Sequence, residues 1–246
     1  IRAEQIHRHV ELQLIEAKRM ELEGCEIIHS GDTGLVAMPS GERAARKAAL
    51  LGLSAYVKLL LKPSGIYFLH AGAVERDGKA LVFAGENDSG KSTLVRRFVL
   101  EGWKFIADDN LPVMRAGACF LGEAFYVGQL EQEGIERLVR EGFTPVALPG
   151  FLRAPRCGGD PVEIRAIIFL EKNHENGTGE IIYLQRKEAL GKLLALSKTP
   201  LTDDDYENFL DVLIGVVQQA DCYEMKFNPV SCMKIIEPQM NTDKQS

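Results

Sequence analysis

The segment Gly85–Thr93, which reads GENDSGKST, constrains the fold of this chain more than any other feature. It fits the pattern GxxxxGK[ST] completely, and that pattern requires a strand before it and a helix after it. The preceding residues Lys79–Ala84 are strand formers. The following residues have a helical period with four apolar side chains on one face, Leu94, Val95, Phe98 and Val99. The sequence therefore predicts a strand, a glycine-rich loop and a helix in an α/β sheet protein.

A loop of this kind binds phosphate for a physical reason. Its glycines let backbone N–H groups point inward at the positive end of a helix, which makes an anion-binding nest. Lys91 can then reach the β- and γ-phosphates of a nucleotide, and the Ser92 hydroxyl can ligate Mg²⁺. We therefore expect ATP or GTP with Mg²⁺ to bind at eight residues, Gly85, Asn87, Asp88, Ser89, Gly90, Lys91, Ser92 and Thr93.

An acidic pair follows the loop after a single helix. Trp103–Ala107 reads as a short buried strand, and Asp108 and Asp109 come directly after it. Phosphoryl transfer needs a metal ligand and a group that orients or deprotonates the nucleophile, and two adjacent carboxylates can divide this work. Asp108 is the candidate metal ligand, beside Ser92, and Asp109 is the candidate base. The opposite assignment is also open.

A histidine precedes the loop. The stretch Ile66–Val74 reads as a strand that contains His70, and the pair Asp77-Gly78 predicts a tight hairpin between this strand and Lys79–Ala84. His70 is therefore expected beside the strand that leads into the glycine loop. A single histidine on such a strand is either a core residue or part of a site.

The rest of the chain divides into three parts. Residues 1–64 are expected to form a small α+β portion, with strands at Cys25–His29 and Leu35–Met38 and a helix at Glu42–Leu61 that Pro63 ends. Residues 65–240 form the predicted catalytic domain, and residues 241–246 a disordered tail. Within the domain, Val162–Leu170 and Glu180–Leu184 look like neighbouring strands. A last helix is predicted to start at Thr202, with Asp205 completing a capping box.

Composition excludes several classes of function. The net charge of −6 argues against nucleic-acid binding, although Lys91, Arg96 and Arg97 could still line one basic pocket. No apolar run is long enough for a membrane span, and the charged first residues contain no signal-peptide core. The 5 cysteines are scattered and never spaced as CxxC, which favours reduced thiols. A cytoplasmic location is therefore expected.

Three motifs in register give the chain a family resemblance. The segments HAGAVERDGKALVFAGENDSGKST and EGWKFIADDN, within about Phe68 to Val113, resemble the catalytic domain of HPr kinase/phosphorylase and its HPr-kinase-like relatives. The resemblance implies an α/β P-loop domain with a mixed sheet, related to phosphoenolpyruvate carboxykinase. It also implies transfer of phosphate from ATP, with Mg²⁺, to a serine hydroxyl. Lys91 and Asp108 would then be catalytic, together with His70 as an active-site residue and Asp109 as the general base.

The chain also departs from the HPr enzymes. Thr93 stands where they usually have glutamate, and the downstream VKPGRN type of motif is missing, since the corresponding stretch Ala147–Gly159 has a different order. These differences predict an acceptor other than HPr. The stand-alone HPr-kinase-like proteins include kinases of lasso-peptide precursors, so a serine in a peptide or small protein is the expected acceptor. Arg153 or Arg156 is a candidate to hold a phosphate or an acidic peptide end.

Two other functions remain open at this stage. A kinase of small hydroxyl compounds would use the same residues, and a non-catalytic nucleotide-binding module would regulate a partner. The intact set of Lys91, Ser92, Asp108 and Asp109 argues against the second of these. The HPr enzymes are typically hexamers, so a homo-oligomer is compatible with the resemblance.

Overall fold

The structure is a computed structural model of the 246-residue chain. It describes residues 18–22, 25–30, 33–37, 57–119, 124–126, 130–146, 151–155, 161–172, 180–197 and 205–227. The chain divides into two compact units. The first comprises Ile1–Ser64 with Thr199–Thr202, and the second comprises Gly65–Lys198 with Asp203–Ser246.

The first unit contains a three-stranded antiparallel sheet in the order β1-β2-β3. Its strands are β1 (Lys18–Leu22), β2 (Cys25–Ser30) and β3 (Thr33–Ala37). The two strands predicted here are confirmed within two residues at their ends, whereas β1 lies in the charged opening segment and was not predicted. Residues 57–61 are helical and a 3-10 turn, Lys62–Ser64, follows; the rest of the predicted helix Glu42–Leu61 lies outside the described residues.

The second unit is built on a six-stranded mixed sheet, so the predicted α/β class with a mixed sheet is confirmed. The strand order is β14-β15-β13-β6-β5-β7. Strands β15, β13 and β6 run parallel, and the other three are antiparallel to their neighbours. The strands are β5 (Ala71–Arg76), β6 (Lys79–Ala84), β7 (Lys104–Asp108), β13 (Glu163–Lys172), β14 (Glu180–Tyr183) and β15 (Asp221–Phe227).

Two small sheets and four helices complete the described part of this unit. One sheet has the order β4-β8-β9 and the other β10-β12-β11. Their strands are β4 (Tyr67–Leu69), β8 (Leu111–Met114), β9 (Gly117–Ala118), β10 (Ala124–Tyr126), β11 (Thr144–Pro145) and β12 (Phe151–Arg153). The helices are α1 (Lys91–Leu100), α2 (Gln132–Arg140), α3 (Arg186–Ala195) and α4 (Tyr206–Gln219). None of the described helices has the length and apolar character that crossing a membrane requires.

The hairpin before the glycine loop has the predicted form. Arg76 pairs with Lys79, which leaves Asp77 and Gly78 as a two-residue turn with φ of 54° and 75°. Positive φ at both positions is the signature of a type I′ turn, whose twist matches that of the strands. The buried Glu75 reinforces it by accepting a hydrogen bond from the Gly78 N–H at 2.9 Å.

The predicted strand Ile66–Val74 is in fact two strands in different sheets. β4 pairs with β8, whereas β5 pairs with β6 and β7. The break falls at His70, whose backbone N–H donates to Leu196 O at 2.7 Å instead of joining either sheet. An apolar run alone indicates that extended structure is present, and it carries no information on where the chain changes partners.

Two further predictions about this unit are wrong. β13 and β14 are not neighbours, because β15 lies between them and pairs with both. The last helix begins at Tyr206, so Asp205 is its N-cap rather than the third helical residue of a capping box. Thr202, where the helix was expected to start, lies outside the described residues. Helices α2 and α3 were not predicted.

Helix α1 packs its predicted apolar face into the core. Leu94, Val95, Phe98 and Val99 are all buried. The Phe98 ring lies 5.4 Å from that of Phe83 on β6 and 5.1 Å, edge to face, from that of Trp103. These contacts fix α1, and with it the start of the helix after the glycine loop, against the sheet.

Replacing Phe98 by alanine should lower the free energy of unfolding by about 3–5 kcal/mol, because it removes a buried ring and leaves a cavity. Arg97→Ala, at the exposed next position of the same helix, is the control and should change stability by less than about 0.5 kcal/mol. Denaturant unfolding followed by circular dichroism measures both. Equal effects of the two substitutions would contradict this account of how α1 is held.

Candidate functional site

The glycine-rich loop connects β6 to α1 and lies against β13. Phe169 on β13 pairs with Ala84, the last residue of β6, so the next residues of the two strands are close. A Cβ atom at Gly85 would lie 2.9 Å from Leu170 O and 2.7 Å from Ser89 Oγ. Only glycine fits at this position without moving backbone. Ser89 itself is buried, and its hydroxyl has no hydrogen-bond partner among the described residues.

The loop ends in the start of α1. Gly90 is the N-cap residue with φ 99°, and within the described residues no side chain caps the helix. Leu94 N–H makes a helical hydrogen bond to Gly90 O at 3.1 Å. The N–H groups of the first helical turn carry partial positive charge that no capping side chain occupies. Such a terminus is suited to bind an anion.

Lys91 is a buried cation with three hydrogen-bond acceptors. Its Nζ lies 2.7 Å from Gly85 O, 2.6 Å from Glu86 O and 3.1 Å from His70 Nε2. An ammonium group has three N–H donors, and here each has an acceptor. The side chain therefore folds back onto its own loop and connects that loop to His70.

His70 continues this chain of hydrogen bonds to Asp109. Its Nδ1 lies 2.8 Å from Asp109 Oδ1. Because Lys91 can only donate, His70 Nε2 accepts, and the proton of a neutral imidazole is on Nδ1, which donates to Asp109. Asp109 Oδ2 also accepts from Asn110 Nδ2 at 3.2 Å. His70 is buried, whereas the Asp109 side chain is 48% exposed, so the chain runs from the interior to the surface.

Asp108 is hydrogen-bonded to Ser92, the other candidate metal ligand. The pKa of the Asp108 carboxyl is raised from 3.8 to about 6, chiefly by burial and to a lesser extent by the neighbouring Asp109. A hydrogen bond with Ser92 and the positive charges of Arg96 and Lys91 act in the opposite direction. A hydroxyl and a carboxylate in contact are two oxygen ligands of the kind that Mg²⁺ takes, so this pair fits such an ion. Within the described residues no group of three or more His, Cys, Asp or Glu side chains could hold a metal.

An open cavity of about 600 Å³ joins these residues. It contains six of the eight residues predicted to bind nucleotide, and Asp109 lies on it as well. Gly85 and Ser89 do not line it and shape the loop from behind. Arg96 does line it, although the sequence had indicated it only as one of three residues of a basic region. The lining residues are Asn87, Asp88, Gly90, Lys91, Ser92, Thr93, Arg96 and Asp109.

Of the two arginines proposed for substrate binding, the structure describes only Arg153. Arg153 is an exposed residue at the end of β12, paired with Ala124 and Thr144, and it does not line the cavity. Arg156 lies outside the described residues. The cations at the cavity are Lys91 and Arg96, both from α1.

No protein-family model matches this chain, and a comparison with curated proteins found no match either. The geometry of the residues described above therefore carries the functional argument.

Asp108→Asn should stabilise the protein at pH 7.5 by roughly 1–3 kcal/mol in buffer containing a chelator, because it removes a charge that burial disfavours. A carboxyl whose pKa rises on folding binds its proton more tightly in the folded state. The stability of the parent protein then falls as the pH rises from about 4 to 6. The advantage of the variant should accordingly shrink towards pH 4. Denaturant unfolding over this range measures it, and an advantage that does not change with pH would contradict the assignment.

Proposed function

We propose that this chain is a kinase that uses ATP and Mg²⁺ to phosphorylate a serine hydroxyl of a peptide or small protein. The observation that carries the proposal is the hydrogen-bond chain from Lys91 through His70 to Asp109. It joins the residue suited to bind phosphate to a carboxylate that lies at the same cavity. A protein that only binds nucleotide has no need for such a carboxylate.

The loop and α1 account for nucleotide binding in this proposal. The phosphates would lie over the N-terminus of α1, where the uncapped N–H groups and the Lys91 ammonium are available to anions. Lys91 uses all three of its N–H groups in the structure, so it has to exchange at least one acceptor to contact the β- and γ-phosphates. The flexible lysine stem allows this exchange.

Asp108 and Ser92 would hold the metal. Their contact brings a carboxylate and a hydroxyl oxygen together beside the loop. Mg²⁺ at this pair would neutralise negative charge on the transferring phosphoryl group. Asp108 would then serve as the metal ligand, which leaves the more exposed Asp109 for the acceptor.

Asp109 would act as the general base. Its carboxylate takes the proton of the serine hydroxyl while the serine oxygen forms a bond to the γ-phosphorus and the bond to the β-phosphate oxygen breaks, releasing ADP. The Nδ1–H of His70 donates a hydrogen bond to Asp109 Oδ1. This bond fixes the orientation of the carboxylate from the buried side. His70 is thus a positioning residue for Asp109.

The same observations support the finer parts of the proposal. The order of His70, the glycine loop and the Asp108-Asp109 pair is that of the HPr-kinase-like P-loop domains, and the sheet around them is mixed. We propose that the chain is of this type, with a catalytic domain from residue 65 to about 240, and that it is cytoplasmic, as its scattered cysteines indicate. A small hydroxyl compound as acceptor is the alternative that the test below distinguishes.

Asp109→Asn should keep the affinity for ATP and lower phosphate transfer by about 10²–10⁴-fold, because the amide cannot accept the hydroxyl proton. Labelled ATP with Mg²⁺, a panel of serine-containing peptides and free serine measure transfer by mass. Asp211→Asn, at an exposed position on α4, is the control and should act like the parent. Transfer by Asp109→Asn at the parental rate would refute the assigned base.

His70→Ala should lower kcat about a hundredfold, because Asp109 and Lys91 lose the group that connects them. His70→Gln keeps a donor and an acceptor and should retain more activity. Comparing kcat and KM for ATP in the two variants measures the effect. If both variants lose activity equally, or if only the KM for ATP changes, His70 does not position the base.

A further inference from the structure

Arg96 is the second cation at the cavity. It comes four residues after Ser92 on α1, so the two side chains lie on the same face of the helix. Arg96 is half-buried and lines the cavity together with Asp109, whereas its neighbour Arg97 is exposed and does not line it. The positive charge of Arg96 also acts on the carboxylate of Asp108.

The position of Arg96 differs from that of Lys91. Four residues along a helix correspond to a rise of about 6 Å, so Arg96 is one turn farther from the loop than Ser92. Nucleotide phosphates at the helix terminus would be contacted by Lys91 and the backbone N–H groups. Arg96 lines the same cavity as Asp109, and its charge is close enough to act on Asp108. A hydroxyl has to approach within this cavity if Asp109 is its base.

An acidic acceptor needs a cation at the cavity, because the carboxylates there would repel it. Asp88 and Asp109 line the cavity, and Asp108 adjoins it, so an acidic acceptor would meet several carboxylates. Arg96 offsets this repulsion locally. A guanidinium carries five N–H donors in a planar fork, so it can face Asp108 with one edge and bind a second carboxylate with another.

We propose that Arg96 determines acceptor specificity by binding a carboxylate of the acceptor close to the serine that is phosphorylated. This inference rests on the proposed kinase function and adds the class of substrate, which is an acidic serine-containing peptide. Hydrogen bonds between a guanidinium and a carboxylate are strong and directional, so one such pair selects acidic over neutral neighbours of the serine. The preferred acceptor therefore carries Asp or Glu within about two residues of its serine, which is the reach of one extended arginine side chain.

The test uses two pools of nine-residue peptides with one central serine in an alanine and glycine background. Glutamates flank the serine in one pool and glutamines in the other. Binding of each labelled pool to the full chain is measured with Mg²⁺ and a non-hydrolysable ATP analogue, and phosphate transfer from ATP is measured separately. The variants are Arg96→Gln and Arg96→Lys, with Arg97→Gln as the matched control on the adjacent position of α1.

The parent and Arg97→Gln should bind the glutamate pool about tenfold more tightly than the glutamine pool. Arg96→Gln should lose this preference while its affinity for the ATP analogue stays unchanged, and Arg96→Lys should keep part of it. No preference in the parent, or an equal preference in Arg96→Gln, overturns the inference. Loss of affinity for the ATP analogue in Arg96→Gln also overturns it, because Arg96 would then bind nucleotide.

The two measurements separate this inference from the proposed function. A preference for the glutamate pool that depends on Arg96, without any phosphate transfer, supports carboxylate binding by Arg96 and refutes the proposed phosphorylation of peptide serines. Transfer to both pools at equal rates, with equal binding, supports the kinase and refutes the role of Arg96.

Discussion

The site depends on the hydrogen bonds made by the buried ammonium group of Lys91. Lys91 is almost fully buried, and a charge in such a position is costly unless every donor is satisfied. Two acceptors come from carbonyl groups of its own loop, and the third is His70. His70 is the residue at which the chain leaves one sheet and enters another. The side chain at the break between β4 and β5 therefore connects the glycine loop to Asp109.

Local sequence patterns predicted the parts of the site that are continuous in sequence. The strand β6, the type I′ turn, the loop and the apolar face of α1 each follow from a period or a turn signal within a few residues. The sequence also predicted that Asp108, at the end of the strand after α1, projects toward the loop, where it contacts Ser92. The neighbourhood of His70 and Asp109 came from the family resemblance, because no pattern in either segment alone specifies it.

The errors in the sheet concern long-range arrangement, whereas the misplaced start of the last helix is a local error. β13 and β14 have the alternation of strands, but nothing in it shows that β15, which comes later in the chain, pairs between them. At the change of sheet, the backbone N–H of His70 bonds to Leu196, which is distant in sequence. Arg96 was within reach of sequence reasoning, since its spacing of four residues from Ser92 separates it from Arg97. Arg153 was proposed as a substrate-binding residue because its segment contains prolines and arginines. That composition does not specify where the residue lies relative to the glycine loop.

The connectivity of the six-stranded sheet has a consequence for the order of folding. Residues 70–109 form two antiparallel pairings and one packed helix through short connections, which close at low entropic cost. β6 gains its other neighbour only when β13, far along the chain, docks in parallel. From this connectivity we expect the histidine, the loop and the carboxylates to assemble first, on a three-stranded nucleus whose β6 edge is still open. Docking of β13 then places Leu170 O against Gly85 and fixes the back of the loop.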